Sequence, residues 1–202
     1  MSASQACSRA FRLSPAIKWC TVVAALGFSM ISHAQPVSKP SQDALVQPHT
    51  DATQAIGLRL GNHGSYQTAS VFWQTPVWWT HSFDNGWGRL DLQGEASATY
   101  WDAKHGRHTS LWQAGFAPVL RWWPTAKPFF VEAGFGPTFI SRTRFADYNL
   151  ATALQFGSHV GVGYVFNKRH QVGLRASHFS NASIKNPNDG LNLLQLDYAL
   201  RF

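Results

Sequence analysis

Cysteine is confined to Cys7 and Cys20, glutamate to Glu95 and Glu132, and charged residues of all kinds make up 13% of the 202-residue chain. Each scarcity excludes something. A chain with so little charge, 45% hydrophobic and 14% aromatic, is not a disordered solvating protein. Beyond the N-terminus no apolar run approaches the roughly 20 residues of a membrane-spanning helix, which rules out a helical membrane bundle. From residue 54 to 202 no stretch sustains a 3.6-residue apolar period, so helices are not expected there. No glycine-rich loop follows a strand and opens a helix, and nucleotide chemistry is left without support. The length suits one domain, and a small barrel or sandwich is what remains.

What is present begins with a leader. Arg9, Arg12 and Lys18 precede an apolar stretch over 19–31 (WCTVVAALGFSMI) that ends in Ser32-His33-Ala34, a small-x-small cleavage signal. Residues 1–34 therefore read as a secretory signal peptide, and a membrane anchor is the weaker alternative because the run is too short to span a bilayer. Cleavage removes both cysteines, which suits a bacterial envelope protein better than a disulfide-stapled secreted domain. It also removes three cations and no acid from the formal charge of +7. The modest remainder does not argue for nucleic acid and agrees with a surface that meets anionic lipid head groups. Residues 35–53 hold three prolines among polar residues and read as a flexible periplasmic lead-in, with the folded domain over 54–202.

The alternation of apolar and polar residues predicts strands over 54–61, 67–79, 88–102, 108–122, 128–141, 153–166, 171–180 and 191–202. In the third, Leu90, Leu92, Gly94, Ala96, Ala98 and Tyr100 share one face, while Asp91, Gln93, Glu95, Ser97 and Thr99 share the other. The fifth and eighth repeat the pattern. A soluble sandwich would produce the same alternation, so period alone does not separate it from a membrane barrel. Length and aromatics favour the barrel: several segments reach the ~9–11 residues of a tilted bilayer crossing. The pairs Trp78-Trp79, Tyr100-Trp101, Trp122-Trp123 and Phe129-Phe130 bunch at segment ends like interfacial girdles. The expected fold is all-β, an eight-stranded antiparallel transmembrane β-barrel. Glu95, Glu132, Asp91, Arg121, Arg175 and Arg201 share the lumen parity and are expected to fill the bore as a buried network.

With the lead-in on the periplasmic side, the seventh strand ends at the cell surface. Val172, Leu174, Ala176, His178 and Ser180 share its lipid face, opposite Gly173, Arg175 and Ser177. A His and a Ser at i and i+2 are at the separation where an imidazole can activate a hydroxyl. The bland alternative, two polar groups marking the water interface, is favoured by spacing alone. Ser158 and His159 are adjacent and face opposite ways, with Ser158 assigned to the outer wall and His159 to the lumen. His63, His81, His105, His108 and His170 lack metal-ligand spacing, so no metal site is expected.

The string HFSNASIKNPNDG over 178–190, preceded by Gly173-Leu174-Arg175-Ala176, resembles the signature of the lipid A 3-O-deacylase (PagL) family. Looser similarity covers Tyr100-Trp101-Asp102, Phe116-Ala117-Pro118-Val119 and 130–136 (FVEAGFG). The terminal Phe202, with Tyr198 and Leu200 on its face, is similar to the C-terminal signature of bacterial outer-membrane barrels. The resemblance implies an integral protein of the Gram-negative outer membrane that hydrolyses the 3-O-linked acyl ester of lipid A by a serine mechanism, with neither metal nor cofactor. Carried over, Ser180 is the nucleophile and His178 its general base and later acid. Asn181 is expected to donate to the oxyanion through its amide, helped by backbone N–H groups over 181–184. Asn188 either shapes the turn or organises the site, Pro187 fixes φ, and Gly190 is expected to supply a positive φ.

The family expects an orienting glutamate just after the P-N-x-G turn, where this chain reads Leu191-Asn192-Leu193. Asn192 stands in the corresponding place, with lipid-facing parity and across from His178; Asp189 is a second candidate. An amide oxygen can fix the imidazole tautomer but cannot stabilise an imidazolium as a carboxylate does. Lys185 with Arg142 or Arg144 would attract the lipid A phosphates. The implied partners are lipopolysaccharide and outer-membrane lipids, not nucleic acid, and a homodimer is compatible with the reading. A non-enzymatic adhesion or structural barrel and a phospholipid esterase are the competing readings.

Overall fold

Eight long antiparallel strands close on themselves in the order β1-β10-β9-β8-β5-β4-β3-β2. The structure, a computed structural model, describes residues 54–124 and 128–202; the expected signal peptide over 1–34 and lead-in over 35–53 lie outside them. The strands are β1 (Ala55–Asn62), β2 (Tyr66–Phe83), β3 (Gly88–Ala103), β4 (Ser110–Trp123), β5 (Phe129–Ile140), the two-residue β6 (Arg144–Phe145) and β7 (Tyr148–Asn149), β8 (Leu154–Phe166), β9 (His170–Ser180) and β10 (Leu191–Arg201). Each of the eight expected segments falls on one long strand. The β6–β7 hairpin was not expected, because two-residue strands are too short to show a period. Strand β2 runs four residues past its expected end, since register shifts between Gln74 and Val77 and between Val77 and Trp79 break the alternation there.

Which face is buried separates barrel from sandwich. In β1 and β10 burial alternates residue by residue, and the exposed set is the apolar one: Leu60 is 63% and Leu196 62% exposed. The buried set holds Arg59, Glu95, Arg121, Glu132, Arg175 and Asp197. A water-soluble sandwich would invert this, whereas a closed barrel in lipid requires it, because every backbone group pairs with a neighbouring strand and apolar side chains meet acyl tails.

The charged bore is neutralised pair by pair. Arg175 donates to both Glu95 (2.7 Å) and Glu132 (2.6 Å), Arg59 to Asp197 (2.7 Å) and Glu95 (3.0 Å), and Arg121 to Glu132 (2.7 Å). Three guanidinium groups and three carboxylates, all buried, thus compensate one another. Apolar clusters close the bore on either side. Trp123, Phe130 and Val165 pack near the end that carries the termini. Tyr66, Trp101, Leu111, Phe145, Leu150 and Leu191 pack at the opposite, distal end.

These clusters correct the girdle reading. Because neighbours on a strand face opposite ways, Tyr100 and Phe129 are exposed while their partners Trp101 and Phe130 are 1% exposed and belong to the interior. Trp123 is likewise an interior residue. Only Trp78 and Trp79 both face out, and the register shift beside them is the reason.

Candidate active site

The distal ends of β8, β9 and β10 set one row of side chains across the outer wall. Ser158 pairs with His178, and His178 with Asn192. Val172 and Leu174, which share the parity of His178 on β9, are exposed to the exterior, so imidazole and hydroxyl belong to the wall and not to the bore. Nδ1 of His178 lies 2.8 Å from Oδ1 of Asn192. A carbonyl oxygen only accepts, so Nδ1 carries the proton and the lone pair sits on Nε2. Ser180 follows on the same face at the end of β9 and is 8% exposed. Among the described residues no hydrogen bond links its Oγ to the ring, whose partner is Asn192.

Gly190 explains how the ring fits. A Cβ built there would lie 2.5 Å from Cε1 of His178 and 3.3 Å from Nε2. Its φ is not in the left-handed region, so the expectation that Gly190 serves backbone freedom is corrected: it serves space. Gly190→Ala is expected to displace the imidazole and lower kcat by about ten- to a hundred-fold with the barrel still folded. Steady-state kinetics beside heat-modifiable gel migration checks this, and an unchanged kcat would remove Gly190 from the site.

The connecting segment 181–190 is organised by two asparagines. The backbone N–H of Asn181 donates to Oδ1 of Asn188 at 2.9 Å, and Nδ2 of Asn188 donates to Oγ of Ser183 at 3.4 Å. The side-chain amide of Asn181 is fully buried and donates to the carbonyls of Lys185 (2.7 Å) and Leu150 (3.1 Å). This corrects the expectation that the Asn181 amide meets the oxyanion: its N–H donors are spent on the carbonyls of Lys185 and Leu150. Asn188 bridges 181 to 183 and so shapes the turn around the end of β9. Ala182 (φ 52°) and Ser183 (φ 63°) are both left-handed, a conformation that costs a non-glycine residue about 1–2 kcal/mol.

Residues 67–201 match the lipid A 3-O-deacylase (PagL) family. The chain belongs to that family. It is 44% identical over 160 residues to the lipid A deacylase PagL of Bordetella bronchiseptica, covering 79% of this chain and 88% of the relative. With the protein of the same name from Pseudomonas aeruginosa it shares 36% identity over 157 residues, covering 74% and 85%. A crystal structure of the outer-membrane enzyme PagL superposes with a TM-score of 0.66 at 32% identity, covering 73% of this chain and 99% of that one. This PagL-family chain is accordingly an enzyme and an outer-membrane barrel.

Other expected residues take different places in this PagL-family barrel. Asp189 does not orient the imidazole: its carboxylate accepts from the N–H of Asn149 at 2.7 Å, and its own N–H donates back to the Asn149 carbonyl at 3.4 Å. It staples the segment that carries β7 to the segment that carries the site. His159 is a half-buried bore residue whose Nε2 is enclosed, and Ser158 an outer-wall one, as their parity requires. Among the described residues no group of three or more His, Cys, Asp or Glu could hold a metal. Lys185, Arg142 and Arg144 are exposed on the distal loops. Sequence reasoning missed Asn149, Leu150 and Tyr66, whose links to the site run through backbone atoms or cross 31 to 126 positions of chain.

Proposed function

We propose that this enzyme removes the 3-O-linked acyl chain from lipid A by Ser-His hydrolysis at the outer wall. The observation that carries the reading is the imidazole of His178, fixed by Asn192 with Nε2 free, on the same exterior face as Ser180. Nε2 takes the Ser180 proton as Oγ attacks the ester carbonyl, and the negative charge forming on the carbonyl oxygen meets the backbone N–H groups of Ala182 and Ser183, those of Asn181 and Ile184 being taken by Asn188 and the Asn181 carbonyl. His178 then gives the proton to the departing sugar oxygen, which leaves as the free 3-hydroxyl. Water, deprotonated by the same ring, releases the fatty acid and restores Ser180. The acyl chain reaches this pair from the lipid leaflet beside it, and Lys185, Arg142 and Arg144 offer cations to the lipid A phosphates.

Lipid A mass spectra from cells expressing the chain test the substrate. Loss of one 3-linked hydroxyacyl chain, with no fatty acid released from phospholipid by the same cells, is the expected result. Intact lipid A beside released phospholipid acyl chains would instead make the enzyme a phospholipid esterase. Intact lipid A with no ester cleavage at all would favour a non-catalytic barrel.

A further inference from the structure

We propose that Tyr66 is a positioning residue for this site, holding the backbone of Asn192 and through it the ring of His178. The inference rests on the Ser-His reading above and names what keeps its orienting residue in place. Strand β1 is too short to do so. Its last residue, Asn62, pairs with Leu194 of β10 and with Gln67 of β2, and the chain then turns. Two residues farther along β10, Asn192 has no strand on its β1 side to receive its N–H and C=O groups. Left bare beside a lipid boundary, each would cost about 1–3 kcal/mol.

The Tyr66 hydroxyl stands in for the missing strand. It accepts from the N–H of Asn192 at 3.0 Å and donates to its C=O at 2.9 Å. Both main-chain groups of Asn192 therefore face β1 and not β9, which makes Asn192 and His178 a non-hydrogen-bonded pair across the two strands. In that kind of pair the Cα atoms are about 4.5 Å apart instead of 5.5 Å and the side chains are closer, which is the separation the short amide-to-imidazole contact needs. The hydroxyl is itself tightly held. Tyr66 is 1% exposed, stacked on His63 at 4.8 Å, and edge-on to Phe145 and Tyr148 from the β6–β7 hairpin. Ring and hydroxyl come from the bore side of the wall, whereas His178 works on the lipid side. One phenol thus ties the distal cluster to the geometry of the site.

Tyr66→Phe removes only the oxygen and keeps the packing. Assayed on purified lipopolysaccharide in detergent micelles, it is expected to lower kcat by about ten-fold, the size of one or two neutral hydrogen bonds, while KM stays within about two-fold. The decisive comparison is a double-mutant cycle with Asn192→Ala. If Tyr66 acts through Asn192, its removal changes kcat by less than about two-fold once the amide is gone. An equal loss in both backgrounds, or a Tyr66→Phe enzyme with wild-type kcat, overturns the proposal. Should the phenylalanine variant fail to form the barrel, 3,5-difluorotyrosine at position 66 keeps ring and hydroxyl but makes a stronger donor and poorer acceptor. An unchanged kcat in that protein overturns the proposal equally. Full activity in a Ser180→Ala control would show that the catalytic reading has failed, which no Tyr66 result can mimic.

Discussion

Ser180→Ala and His178→Ala are each expected to lower kcat by about 10⁴- to 10⁶-fold, and the double variant by no more than the worse single one. The non-additivity is the informative part. A hydroxyl without its base is inert near neutral pH, and a base without its nucleophile has nothing to deprotonate, so the second removal takes away what the first has already disabled. Neither change should disturb the barrel, because both side chains lie on the outer wall, away from the Arg-Glu-Asp network that fills the bore. Single-turnover assays on lipopolysaccharide, with heat-modifiable migration as the folding control, provide the measurement. Residual activity above about a hundredth of wild type in Ser180→Ala would mean that another group attacks the ester. Ser158, paired across from His178, would be the first to examine.

The second large effect concerns the orienting amide. Asn192→Ala is expected to lower kcat by about ten- to a hundred-fold, since the imidazole loses the acceptor that holds its Nδ1 proton and its tautomer. Asn192→Asp keeps the size and reach of the amide, and with it the 2.8 Å contact, while adding a charge. A hydrogen bond to a charged group is worth about 1 kcal/mol more than a neutral one, so Asn192→Asp is expected to raise kcat by roughly five-fold, with Asn192→Glu equal to wild type or faster. Stopped assays of the three variants at matched expression decide the matter. Equal rates in alanine, aspartate and wild-type enzymes would show that the amide does not orient the ring. With a neutral amide in that place, the enzyme is expected to stabilise an imidazolium less than a carboxylate would.

Much of this molecule is written locally. Strand positions, the facing of Leu194, Leu196 and Tyr198 outward against Gln195 and Asp197 inward, and the shared face of His178 and Ser180 all follow from a period of two, which an extended segment obeys wherever its register is unbroken. The string over 178–190 and the absent glutamate could be read in the same way, because they occupy consecutive positions. Other features depend on what the chain meets after it closes. The alternation did not tell whether its apolar face lies in a core or in lipid; the buried Arg175, Glu95 and Glu132 did. Nothing near Asn181 indicated that its amide would be consumed by the carbonyls of Leu150 and Lys185, nor that Asp189 would bind Asn149. Gly190 looks like a turn glycine until the imidazole is seen against it. Sequence alone determined which residues share a face. Closure of the barrel decided which of them touch, because contacts such as Tyr66 with Asn192 span 126 positions and exist only once β1 has ended short between β2 and β10.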